Sequence, residues 1–394
     1  APMSSPRLPA RPPAREAIAK STAPTPAEIS QLVTLFNTGR NAELESRARL
    51  LVEQRPHSGF AWKVLGGAVQ AQGKEALFAF NRAAELVPDD AEVHNNLGNA
   101  LRDLGQLDGA VASYRRALQI KPDFPEAHFN LGNAVRGLGQ LDGAVASYRT
   151  ALEIKPDFLE AHFNLGNYLR DLDQFDAAAA SYRRALEIKP DLAEAHSNLG
   201  ITLQDLGQLD AAVASYRRAL EIKPDLAEAH YNLGNALREL GQCDGAVACY
   251  RRALEIEPGR AETHSNLGVA LQDLGQLAVA MASYCRALEI KPDFADAHSN
   301  LGAALQGVGQ LDAAVACFRR ALEFKPDFAG VLSNLLFLYG FHGLIDPLEY
   351  LAAARGWEQT YSPAQDRQSA RHRVFQRLPL AGRRMRVGYV SGDY

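Results

Sequence analysis

The chain has 394 residues, enough for two or three ordinary domains or one long repeat array. Its 42 basic and 46 acidic residues leave a net charge of −4, which excludes a chain-wide pull toward nucleic acid or an anionic membrane. No uninterrupted apolar run approaches the ~20 residues that span a bilayer, and Cys243, Cys249, Cys285 and Cys317 form no CxxC pair, so reduced thiols in a cytoplasmic protein are expected rather than a metal site or a disulfide framework.

Residues 1–26 hold seven prolines among Ala, Ser and Arg, a composition that cannot bury a core and predicts disorder. Residues 27–90 predict two degenerate helix pairs. The first, 27–58, ends near Pro56. The second, 59–90, keeps Trp62, Leu65, Gly66, Phe80, Ala83 and Pro88 of the pattern that follows, but its turn is two residues short. From 91 to 328 the chain repeats: Pro88, Pro122, Pro156, Pro190, Pro224, Pro258, Pro292 and Pro326 are each 34 residues apart, which marks a solenoid of seven regular units.

The unit is well represented by "AEVHNNLGNALRDLGQLDGAVASYRRALQIKPDF", residues 91–124. It predicts helix A, carrying Leu97, Gly98 and Leu101 at helical spacing, and helix B, with Ala110, Tyr114, Ala117 and Leu118 as its buried stripe. Gly105 separates them because glycine enters the left-handed cap cheaply, and Pro122 stops helix B. The pairs Asp123/Glu126, Asp157/Glu160, Asp191/Glu194 and Asp225/Glu228 predict capping boxes at the start of helix A. Gly98 is expected to admit helix B closely, with Tyr114 filling the space between the helices.

After Phe328, residues 329–361 predict divergent capping helices, and 362–385 a basic linker containing Arg367, Arg371, Arg373 and Arg377. Residues 386–394, the end of "RRMRVGYVSGDY", combine strand formers with Ser-Gly-Asp turn chemistry. A lone strand cannot satisfy its backbone or bury a face, so the sequence is expected to be a fragment that stops at the start of a further domain.

Position 6 of helix A is Asn in every unit: Asn96, Asn130, Asn164, Asn198, Asn232, Asn266, Asn300 and Asn334. Position 9 is Asn in four, at Asn99, Asn133, Asn167 and Asn235, and Ile, Val or Ala elsewhere. Asn costs up to ~0.7 kcal/mol against Ala in a helix interior, so the row calls for a role. Either it binds the backbone of an extended peptide, which every residue offers alike, or it bonds neighbouring helices; the two are compatible. His94, His128, His162, His196, His230, His264 and His298 at position 4 are too far apart to share a metal and are expected to serve packing between repeats. Paired arginines on helix B, such as Arg115-Arg116 and Arg183-Arg184, are expected to be a solvated face rather than a nucleic-acid surface.

The pattern resembles the tetratricopeptide repeat: Gly98, Ala110, Tyr114, Ala117 and Pro122 stand at its positions 8, 20, 24, 27 and 32, with His in place of the usual aromatic residue at position 4. The expected architecture is therefore all-α, a tetratricopeptide superhelix followed by the first strand of a truncated α/β domain. The repeat wording, the Asn row, the divergent "SNLLFLYGF" and the later "MRVGYVSGDY" are together similar to bacterial O-linked N-acetylglucosamine (O-GlcNAc) transferases. That resemblance implies that the terminal strand opens a GT-B-type catalytic lobe, that the position-6 Asn hold protein substrates by their backbone, that UDP-GlcNAc is the donor and that a Ser or Thr hydroxyl is the acceptor. Plant-type O-fucosyltransferases share the architecture, so the donor sugar is less constrained than the transferase class. The catalytic residues would lie beyond Tyr394, so this chain alone holds no cofactor or metal and is expected to be inactive. Protein or peptide partners are implied, without nucleic acid or membrane, and a homo-oligomer is left open. A non-enzymatic adaptor is the competing reading; a carboxylate clamp for acidic tails is opposed by acids at position 2, Glu92 through Asp296.

Overall fold

The computed structural model describes residues 24–342, and every regular element in that range is a helix, nineteen in all. The expected disorder over 1–23, the outer part of the divergent helices, the basic linker and the terminal strand lie outside the described residues. The expected start of order at residue 27 moves forward slightly: Thr25 caps the first helix in a capping box with Glu28, and Pro26 fills its first position.

The described residues fall into two compact units, divided after Leu240. In the first, α1 (Pro26–Asn37) pairs with α2 (Asn41–Gln54), α3 (Gly59–Gln70) with α4 (Leu77–Leu86), α5 (Ala91–Asp103) with α6 (Leu107–Ile120), and α7 (Pro125–Gly137) with α8 (Leu141–Ile154). α9 (Leu159–Asp171) pairs with α10 (Phe175–Ile188), α11 (Ala193–Asp205) with α12 (Leu209–Ile222), and α13 (Ala227–Glu239) closes the unit. The second begins with α14 (Cys243–Ile256), continues with the pairs α15 (Ala261–Asp273) and α16 (Leu277–Ile290), then α17 (Ala295–Gly307) and α18 (Leu311–Phe324), and ends on α19 (Ala329–His342).

Each hairpin is built around one close approach. A Cβ on Gly98 would lie 2.5 Å from the Tyr114 ring, and the same contact recurs at Gly132/Tyr148, Gly166/Tyr182, Gly200/Tyr216, Gly268/Tyr284 and Gly302/Phe318. The aromatic ring, fully buried between two alanines such as Ala110 and Ala117, fills the space that glycine leaves. Leu118 is only half-buried, at the margin of the stripe. Gly105 takes φ +74° at the turn, as expected; in one repeat Asp173 holds the same left-handed conformation at φ +56°.

The expected capping boxes inside the array do not form. Phe124, Phe158, Leu192 and Leu226 occupy the N-cap positions with extended backbone and no side-chain cap bond. Asp123 and its equivalents stand one residue too early, because the helix begins where an apolar residue turns inward. Phe158 is buried there, with the Lys155 ammonium 4.7 Å from its ring centre. Asp90, which stands where the other repeats have the apolar residue, does reach the cap and accepts from the Glu92 and Val93 amides.

The histidines do serve the junction between repeats, by a specific bond. In all seven, Nε2 lies 2.8 to 3.1 Å from the carbonyl of the proline six residues earlier, as in His162 to Pro156 and His264 to Pro258. A carbonyl only accepts, so Nε2 carries the proton. Trp62 at the same position of its repeat donates its indole N–H to the Pro56 carbonyl at 2.9 Å. A ring N–H bonded to the preceding proline-site carbonyl is thus shared by position 4 from Trp62 to His298. α19 has Leu332 at this position and no such staple.

Candidate functional site: the A-helix face

Within each unit, successive A helices touch one another (α3 with α5, α5 with α7, α9 with α11, α11 with α13, and α15 with α17), whereas no comparable contact joins successive B helices among the described residues. The A helices therefore form the tighter side of the array, and positions 6 and 9 lie along it.

Three of the four position-9 asparagines serve the tyrosine of their own repeat, and two of them also make the bond between neighbouring helices that was the alternative role expected of the Asn row. Asn99, Asn133 and Asn167 each accept from the tyrosine hydroxyl of their own repeat, at 2.7, 2.7 and 2.6 Å. Asn133 and Asn167 accept a second bond from the next repeat: Asn164 Nδ2 donates to Asn133 Oδ1 at 3.1 Å, and Asn198 Nδ2 to Asn167 Oδ1 at 2.9 Å. One carbonyl oxygen thereby satisfies a buried phenol and ties two repeats, using both lone pairs. Asn130 reaches back instead to Asn95 Oδ1 at 3.0 Å, and Asn95 contacts Asn96 at 3.4 Å. Asn235 and Asn266 are also engaged.

Where position 9 is apolar the arrangement changes. Tyr216 and Tyr284 turn their hydroxyls to Gln204 and Gln272 at position 12, at 3.2 and 3.1 Å. The position-6 residues that follow Ile201, Val269 and Ala303 are Asn232, Asn300 and Asn334, and none of the three has a hydrogen-bond partner among the described residues. Asn232 and Asn300 are half-buried and Asn334 is exposed. Two kinds of repeat result: Asn at 9 with Arg at 12 (Arg102, Arg136, Arg170, Arg238), and an apolar residue at 9 with Gln at 12 (Gln204, Gln272, Gln306). The pairing was readable in the repeats as a switch shared by positions 9 and 12; its meaning was not, because the phenol that both serve lies on the other helix.

The same face carries other fixed polar groups. Gln204 donates to Glu239 at 2.6 Å, and Arg136 lies over the Tyr168 ring at 5.1 Å. The acids at position 2 are not a bare ring: Glu92 pairs with Lys63 at 2.6 Å, Glu126 with Lys155 at 3.6 Å and Glu262 with Lys291 at 3.3 Å. Their expected repulsion of an acidic tail is thus partly neutralised, and what still opposes a carboxylate clamp is that the seven regular repeats have no basic residue at position 5, while Lys63 at that position of the 59–90 repeat is held by Asp90 and Glu92. Burial raises the hydroxyls that the asparagines and glutamines serve, to about 12 at Tyr182 and upward at Tyr114, Tyr148 and Tyr216. On the B helices, Arg184, Arg218, Arg252 and Arg286 each pair with a glutamate three residues on, on a solvated face.

A TPR repeat model matches residues 98–139, 133–169, 166–207, 203–238, 234–275 and 273–309, and tetratricopeptide repeat models match 79–112 and 295–328. These spans cover more than half of the chain, which belongs to the tetratricopeptide repeat family. No curated protein matches it. Among solved structures it is similar to MamA, at 30% identity over 42% of this chain and 97% of that one, with a TM-score of 0.40. YrrB, described as a TPR protein with an unusual peptide-binding site, matches at 24% identity over 48% of this chain and 98% of that one, with a TM-score of 0.43. A chain of the APC/C hetero-tetramer Cut9-Hcn1 matches at 17% identity over 74% of this chain and 59% of that one, with a TM-score of 0.45. No helix among the described residues is long and apolar enough to cross a membrane.

Proposed function

We propose that the A-helix face of each unit binds an extended protein segment by its backbone, with Asn232 as the anchor in the first unit and Asn300 and Asn334 as the anchors in the second, and that the chain is the substrate-holding arm of a protein O-GlcNAc transferase. The observation that carries the binding reading is that asparagine is kept at position 6 where it gains nothing inside the protein. At these three repeats it forgoes up to ~0.7 kcal/mol of helix propensity each without a partner. An open carboxamide can accept from a backbone N–H and donate to a backbone C=O, which is sequence-tolerant recognition. In the tied repeats the amide nitrogen is already used, and only Oδ1 of Asn164 and Asn198 is left to face a ligand. The glycosyltransferase part rests on the resemblance of the repeat wording and of "MRVGYVSGDY" to that family: UDP-GlcNAc would be the donor, a Ser or Thr hydroxyl the acceptor, and the catalytic groups would lie beyond Tyr394.

Anisotropy of a fluorescent, unfolded Ser/Thr-rich peptide tests the first part. Changing Asn232 and Asn300 together to Ala is expected to weaken binding about tenfold, or ~1.4 kcal/mol, with no fall in melting temperature. Unchanged affinity with a lowered melting temperature would overturn it. Transfer of labelled GlcNAc from UDP-GlcNAc to the same peptide tests the second. Residues 1–394 should give none, and the chain continued by its downstream coding sequence should give product; failure of the continued chain would leave an interaction scaffold.

A further inference from the structure

The outward side of the B helices in the first unit carries two rows of opposite charge that the chain leaves unpaired. α6, α8, α10 and α12 each present an exposed Asp–Ala–Arg stripe at i, i+4 and i+7, which is Asp176, Ala180 and Arg183 in α10 and Asp210, Ala214 and Arg217 in α12. The side chains of Arg115, Arg149, Arg183 and Arg217 have no hydrogen-bond or ion-pair partner among the described residues. Neither do those of Asp108, Asp142, Asp176 and Asp210. The arginines beside the row behave differently: Arg116 is held by Asp89 at 3.2 Å, Arg184 by Glu187 at 2.5 Å and Arg218 by Glu221 at 2.8 Å. That neighbouring position also varies, to Thr150 in α8, while the stripe stays the same in all four helices. The second unit does not keep the rows intact. α16 has Ala278 and Cys285 in place of the Asp and Arg, and in α18 Arg319 donates to the Tyr339 hydroxyl at 2.6 Å.

We propose that this face of the first unit docks on the same face of a second copy, about a two-fold axis parallel to the rows. Seven residues at a 1.5 Å rise set the Asp and Arg rows about 10.5 Å apart. Turning a second copy about such an axis reverses the order of the two rows and keeps the spacing from repeat to repeat. Each B helix then lies antiparallel on its own counterpart, with Asp176 facing Arg183 of the second copy and Arg183 facing its Asp176. The middle of the stripe falls beside Ala180, so a small side chain stands at the axis, where the helices come closest. A two-fold axis running along the helices would instead set arginine on arginine, which repels. An acidic or a basic partner of another kind satisfies one row and opposes the other. A second copy satisfies both at the pitch of the repeats, and a two-fold contact closes without further growth. The proposal does not depend on peptide binding by the asparagine face.

Sedimentation equilibrium of the whole chain tests it. A monomer–dimer equilibrium is expected that weakens about tenfold between ~50 and ~500 mM salt, because exposed charge pairs are screened. Arg183→Glu with Arg217→Glu should weaken the dimer about tenfold, and so should Asp176→Arg with Asp210→Arg, each with an unchanged helical circular dichroism spectrum. An equimolar mixture of the two variants should recover the dimer, since on α10 and α12 one then offers only acids and the other only bases. Loss of fold in either variant could not give that recovery. A chain that stays monomeric at every concentration would overturn the proposal. So would a dimer that either variant retains at full strength, or variants that remain apart on mixing.

Discussion

The repeat around Asn167 and the repeat around Ile201 pack the same Gly–Tyr pair, yet different carboxamides do their polar work. In the first, one carboxamide oxygen binds Tyr182 of its own repeat and Asn198 of the next. In the second, Gln204 takes over Tyr216 and reaches Glu239 of the next repeat, and Asn232 is left with both ends open. The same residue type at position 6 is therefore a tie in one place and an unfilled site in another. What decides between them is a residue in the preceding repeat, not the asparagine itself.

Alkaline titration should act on both kinds of repeat at once, and it has the largest expected effect. Tyr182 in the tied kind and Tyr216 in the open kind are both buried, and burial raises both hydroxyls, to about 12 at Tyr182. A free tyrosine ionises near pH ~10, so the folded state keeps these protons longer than the unfolded chain does. Their stabilisation is complete below that pH and is lost as pH rises toward about 12. Phenolate absorbance at 295 nm should therefore rise together with loss of helical circular dichroism. Smooth ionisation of every tyrosine in a still-helical chain would contradict it.

A more selective break is Asn167→Ala. It leaves a buried phenol without its acceptor and releases Asn198, at an expected cost of ~2 kcal/mol by urea unfolding. The double change Asn167→Ile with Arg170→Gln should recover most of that, since it copies the pair at Ile201 and Gln204. It should also add binding strength for the Ser/Thr-rich peptide by opening Asn198. A double variant no more stable than Asn167→Ala would show that positions 9 and 12 do not act as a pair.

The smallest effect separates backbone from side chain. Asp173 holds the left-handed turn conformation that glycine takes in the neighbouring repeats. Asp173→Gly should stabilise by ~0.5 kcal/mol in the same unfolding measurement, independently of either kind of polar link.

Much of this was legible in the sequence. Gly98 and Tyr114, Gly105, and Pro122 each act through the nearest turn of chain or the facing helix, and 34-residue spacing fixes which helix that is. The N-caps were misread by one residue because Asp123 has the right chemistry while Phe124 has the stronger reason to turn inward. Which partners Asn167 takes was not legible: they lie 15 and 31 residues away, and composition does not say which of two nearby polar groups a phenol will choose. The ring N–H shared at position 4 became visible only when Trp62 and His94 were seen making the same bond.

The bonds between repeats also bear on how the first unit comes apart. A repeat array behaves as a row of units whose stability is the sum of each unit's own term and the terms at its junctions. Each of these junctions is bonded, by Asn133–Asn164, by Asn167–Asn198 and, after Ile201, by Gln204–Glu239. Cooperativity is then handed along the row one junction at a time, so that removing a single bond marks where a block of repeats ends.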